Sequence, residues 1–246
     1  MYIKSFLIIN FFLIHFSGML HAQTLKNEIH RNTIKSVQLH RKGWALSYPV
    51  MELGGSQPLV LHFDDLSEQV EQFHYTLVHC TADWQKSDLV PEDYLEGFTE
   101  AEIRDYEFSF NTLHDYIHYT VELPNNDIRP RYSGNYILKV YTGYNPDSVA
   151  FTWRFSIYEH QVGISSEFRR PTLAQYMDQG QEIDFTVDYG SYPVNDPYQE
   201  LKVVVRQNNR PDREIVGLMP KFVRGTALVY DFEEETVFPG GSEFRY

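Results

Sequence analysis

Residues 134–158 read GNYILKVYTGYNPDSVAFTWRFSIY. Tyr136, Leu138 and Val140 alternate with polar or smaller neighbours, and so do Phe151, Trp153, Phe155 and Ile157. Alternation with a period of two, in β-branched and aromatic residues, marks half-buried strands. Between the two runs, Gly143 to Asp147 supplies Gly, Asn, Pro and Asp, the residues of a hairpin loop. The stretch therefore predicts two long antiparallel strands.

The same pattern recurs outward from there. Candidate strands lie at 37–41, 58–63, 73–79, 105–110 and 116–123. In 73–79, Phe73, Tyr75 and Leu77 share a face. In 105–110, Tyr106, Phe108 and Phe110 do, and in 116–123 Ile117, Tyr119, Val121 and Leu123 do. Residues 82–102 break the pattern with an acidic stretch that has room for a helical turn after Pro91. Residues 30–158 thus carry about seven strands with evenly spaced turns, which predicts an antiparallel β-sandwich of immunoglobulin-like architecture. The Cys–Trp–Cys pattern of antibody domains is absent.

Near residues 159–162 the pattern restarts, with candidate strands at 162–168, 182–189, 200–207, 214–218 and 227–232. The fold class expected is all-β, with two immunoglobulin-like sandwich domains in tandem, 23–158 and 159–246. The second has too few strands to close, and residues 243–246 read like the opening of another. The sequence is therefore expected to be part of a longer protein.

At the N-terminus, Lys4 precedes the apolar run FLIINFFLIHFSGML at 6–20. That run is shorter than the roughly 20 residues a spanning helix needs. Ala22 then offers a small residue at a cleavage point, so residues 1–22 read as a secretory signal peptide. The only cysteine, Cys80, is far from that point, so no lipid anchor is expected. No other long apolar run follows, and the mature chain is expected to be soluble.

Composition narrows the chemistry. Lys plus Arg is 21 against 34 for Asp plus Glu, a net charge of −13, which argues against a nucleic-acid partner. One cysteine excludes an internal disulfide framework and a Cys-cluster zinc site. No phosphate-binding glycine loop, His-Glu-x-x-His or Gly-x-Ser-x-Gly is present. His74, His79, Cys80 and Asp83 form the nearest metal-like spacing, but neighbouring strand residues point to opposite faces. The acid pairs Asp64-Asp65 and Glu92-Asp93 and the run Glu233-Glu234-Glu235 suit calcium or a glycosidase only if they converge; solvated loops are the plainer reading.

Trp44, Trp84 and Trp153 could stack on sugars. Alternatively Trp153 packs in the core and Trp84 pins the acidic loop. Arg129 with Arg131, Arg169 with Arg170, and Lys202 with Arg206 are basic clusters expected to pair locally or to meet an acidic partner. No catalytic, cofactor or metal residue is assigned, and the chain is not expected to be an enzyme.

Nine segments in order carry a resemblance: YPVMELG (48–54), PLVLHFDDL (58–66), YTLVHCTADW (75–84), YLEGFT (94–99), YEFSFNTL (106–113), SGNYILKVY (133–141), RRP (169–171), NDPYQELKVVV (195–205) and VFPGGSEFR (237–245). This series, over roughly residues 30–246, resembles the plug protein family of the Bacteroidota type IX secretion system, formerly a domain of unknown function. The resemblance implies a periplasmic protein that seals the periplasmic opening of the outer-membrane translocon pore. It also implies a chain that continues beyond this one. It assigns no contact residues. The alternative from the residues alone is an exported, non-catalytic carbohydrate-binding β-sandwich module.

Overall fold

A computed structural model of the chain describes residues 25–67 and 69–240. The expected signal peptide and the strand opening at 243–246 lie outside the described residues. The chain begins with β1 (Glu28–Ile29), β2 (Ile34–Arg41), β3 (Val50–Glu52), β4 (Leu59–Asp65) and β5 (Phe73–Cys80). The acidic stretch then holds one helical turn, α1 (Pro91–Tyr94), followed by β6 (Leu95–Gly97) and β7 (Ala101–Glu102). Pro91 opens the turn where a missing N–H leaves no bond unmade. Next come β8 (Asp105–Phe108), β9 (Ile117–Leu123), β10 (Ile128–Pro130), β11 (Gly134–Thr142) and β12 (Val149–Tyr158).

These strands form two main sheets. One runs β2-β4-β9-β8; the other runs β1-β12-β11-β5-β7, with β3 parallel to β12. With β2-β4-β9-β8 as A-B-E-D, β12-β11-β5-β7 as G-F-C-C′ and β3 as A′, this is the strand order of an immunoglobulin-like sandwich. β11 and β12 are the expected hairpin, closed by Ser148 N–H to Asn145 O and Asp147 N–H to Asn145 Oδ1. A second hallmark is a tyrosine corner. Tyr136 enters β11 and its Oη–H donates to Tyr132 O at 2.8 Å. Burial holds its phenol well above the usual tyrosine range.

Aromatic rings fill the centre of the core. Phe63 stacks on Tyr119 at 5.0 Å and meets Phe73 and Phe151 edge-on at 5.1 and 5.0 Å. Such pairs add about 0.5–1.5 kcal/mol each beyond their buried area. All four rings are fully buried. Strand β2 shows how a broken pattern still fills this core. Ile34, Val37 and Leu39 all point inward, although the first spacing is three residues. A bulge between Lys35 and Gln38, with Ser36 at φ 54°, absorbs the extra residue. The sequence pattern therefore places this strand three residues late.

Past residue 158 come β13 (Gly163–Arg169), β14 (Gly180–Asp188), α2 (Pro197–Glu200), β15 (Val204–Arg206), β16 (Glu214–Val216), β17 (Phe222–Arg224), β18 (Ala227–Tyr230) and β19 (Val237–Pro239). A sheet β13-β14-β18-β17 takes β19 onto β14, and β15 pairs with β16. Its buried centre is small: Phe185, Val187, Leu228 and Tyr230, flanked by half-buried residues such as Ile183 and Val205. The expected strand at 200–207 begins instead as α2. Asp196 caps it by accepting from Tyr198 N–H, and Pro197 starts it.

Candidate interaction surface

Strand β8 is the edge of its sheet, paired with β9 alone. Its alternation predicts a half-buried strand, yet all four residues are exposed. Tyr106 and Phe108 do lie on the inner face, opposite Tyr119 and Ile117. Tyr106 sits 5.7 Å from the Tyr119 ring and 5.9 Å from the Phe108 ring, so the aromatic row of the core runs out into solvent. The other sheet ends in β7, two residues long, and the inner face of β8 stays uncovered.

The row continues into the β8–β9 connection. Ser109 N–H donates to Tyr116 O, Tyr116 N–H donates to Ser109 Oγ, and Thr112 Oγ1–H donates to His114 O. This bonded loop holds Phe110 at 93% and Leu113 at 100% exposure. A groove of about 620 Å³ lies at its base, between Leu66, Phe108, Leu113 and Tyr116. Contiguous exposed apolar surface of this kind marks an interaction site. The sequence shows the row of aromatics but not that the sheet ends beside it.

The opposite, outer face of the same sheet carries a second feature that sequence reading missed. His40, His62 and His118, from β2, β4 and β9, stack at 5.3 and 5.2 Å between ring centroids. His118 Nδ1 lies 2.7 Å from Asp64 Oδ1, and His118 Nε2 lies 3.2 Å from His62 Nδ1. His62 Nδ1 also lies 3.1 Å from Thr120 Oγ1. Partial burial and the two neighbouring imidazoles lower the His62 pKa. Each histidine occupies an outward strand position in the sequence; their shared register is what only the fold reveals.

The other candidates separate. His74 packs against Tyr144, His79 meets Ser87 Oγ at 2.9 Å, and Cys80 is buried, its thiol pushed up to about 11. Among the described residues no group of three or more His, Cys, Asp or Glu is placed to hold a metal ion. Asp64 and Asp65 point to opposite faces. Asp65 is buried and accepts from Ser67 N–H and Oγ–H.

The tryptophans lie on three different elements. Trp44 is exposed on the β2–β3 connection, and Trp153 is half-buried against the core. Trp84 lies under the Arg154 guanidinium, 4.3 Å from its centroid, as an anchor of the acidic stretch. The basic clusters mostly pair locally. Arg169 reaches Glu167 and Asp184, Arg170 reaches Asp178, Lys202 reaches Asp83, and Arg206 reaches Glu214. Arg129 and Arg131 are in no ion pair among the described residues.

Residues 34–159, more than half of the chain, match the family described as type 9 secretion system plug protein, first domain. A solved hypothetical protein from Parabacteroides merdae is 31% identical, with a TM-score of 0.85 over 91% of this chain and 56% of its own. The chain thus spans just over half the length of that relative. No curated protein matches.

Proposed function

Because the chain belongs to the type 9 secretion system plug family, we propose that it is a periplasmic plug subunit, exported by its leader, that binds and seals the periplasmic opening of the outer-membrane translocon pore. The family match is the observation that carries this reading. Sealing asks for a rigid body with a large complementary surface, and asks nothing of a reacting group, so the role is non-catalytic. A sandwich with a fully buried aromatic centre supplies the rigidity. The exposed aromatic row at β8 supplies surface.

Among the described residues no helix is long and apolar enough to cross a membrane. Residues 23–158 and 159–246 serve as two β-domains of this body, and the sealing activity belongs to the whole protein. The carbohydrate-binding alternative needs a flat strip of exposed aromatic rings. Trp153 packed on the core and Trp84 covered by Arg154 count against it.

The test is permeability. Deleting the gene should leave idle translocons open, so that cells admit a large antibiotic normally excluded by the outer membrane. Removing the translocon as well should restore exclusion. Unchanged permeability in the single deletion overturns the sealing role.

A further inference from the structure

We propose that the β8–β9 hairpin, residues 105–117, is the contact through which this chain grips the translocon, its tip inserting into an apolar cleft rimmed by basic residues. The proposal rests on the plug reading and adds the surface and the chemistry of its partner. Phe108 ends β8 at 66% exposure, and Phe110 and Leu113 project from the connection after it at 93 and 100% exposure. The backbone behind them is fixed by the Ser109–Tyr116 and Thr112–His114 hydrogen bonds, so little ordering entropy remains to be lost on binding. Two large apolar side chains on a rigid tip are what an interface anchor requires.

The surroundings specify the partner. Asp105 and Glu107 stand on the outer face of β8, and Asp115 closes the loop. None of the three is in an ion pair among the described residues, whereas nearby Arg104 is taken by Glu102 and Asp127. An apolar tip on a hairpin that carries unpaired carboxylates on its outer face and in its loop complements an apolar cleft flanked by Lys or Arg. A sugar would be met by flat aromatic stacking with hydrogen-bonding neighbours, and Leu113 supplies neither. The groove of about 620 Å³ beside the tip has room for a reciprocal apolar side chain of the translocon.

The experiment is co-purification of the translocon from membranes with the tagged full-length protein. It compares wild type, Phe110→Ser with Leu113→Ser, Asp105→Lys with Asp115→Lys, and Leu46→Ser as an exposed apolar control elsewhere. Thermal melts check that each variant folds, and light scattering reports oligomeric state. The tip variant and the charge variant should each lose translocon on the order of tenfold or more, with Leu46→Ser unchanged. Equal recovery by all four overturns the hairpin contact and leaves the plug reading standing. No recovery even with wild type overturns both. A wild-type dimer that the tip variant converts to monomer identifies the hairpin as a self-contact and overturns the proposal.

Discussion

His62 shows how much a single position depends on partners that are distant in sequence. Its ring lies between His40 and His118 on the outer face of the β2-β4-β9-β8 sheet, with Asp64 on the far side of His118. Partial burial is the largest influence on its pKa, followed by repulsion from His118 and His40; Asp64 opposes them more weakly, and the folded pKa is lowered. The unfolded chain, near the ordinary value of 6.5, then binds more protons than the folded one in the window below 6.5. Stability rises with pH wherever the unfolded state holds more protons. The contribution of His62 is thus fully present above pH 6.5 and is lost as the pH falls through the lowered value. Urea midpoints measured between about pH 7.5 and 5 should decline, and His62→Gln should flatten part of that decline. An identical slope in the variant would remove His62 as a source. The sequence gives each histidine an outward strand position, but a stack needs the diagonal register of three strands, which no local pattern encodes.

At the scale of elements, legibility follows regularity. The hairpin β11–β12 is plain in the sequence because Tyr136, Leu138 and Val140 face one way and Gly143 to Asp147 can only turn. Strand β2 is only half legible because its bulge at Ser36 breaks the period of two. Strand β3 is missed entirely. Its three residues pair in parallel with β12, and parallel pairing has no hairpin signal. The turn after β5 is a similar case: Trp84 takes φ 60°, a left-handed conformation that a bulky residue rarely adopts. Contacts across the structure hold it there. Arg154 covers the indole and donates through Nε to Leu25 O at 2.7 Å, while Leu25 N–H donates to Trp84 O at 2.8 Å. One guanidinium so ties the start of the described chain, the turn and β12 together. Arg154→Met keeps the stem and removes the charge and the bonds. It should cost about 1–3 kcal/mol in denaturant unfolding, from a lost cation–π contact and charged hydrogen bonds. Faster hydrogen exchange at residues 25–29 should accompany the loss. Unchanged exchange there would show that the tie lies elsewhere.

For the molecule as a whole, the two halves differ in how much apolar surface they cover. The N-terminal sandwich closes over one continuous core, whereas the C-terminal sheet buries four central residues and leaves β13 exposed along its length. The register pairs Ile164 with Val187 and Phe168 with Ile183, so both side chains extend the apolar face past its buried centre. They are 70 and 64% exposed. An edge strand with free backbone groups and apolar side chains invites pairing with another chain. Opposing this, the net charge of −13 keeps copies apart. Salt decides between the two. The Debye length falls from about 10 Å at 0.1 M to about 3 Å at 1 M, which removes the repulsion and leaves apolar contact intact. The 246-residue chain should therefore self-associate as salt rises, followed by light scattering at fixed protein concentration. Ile164→Lys with Phe168→Lys should suppress that rise and shift stability by no more than about 0.5 kcal/mol, as surface changes do. Association that persists unchanged in this variant would place the sticky surface elsewhere. A large loss of stability would mean that both side chains belong to the core after all.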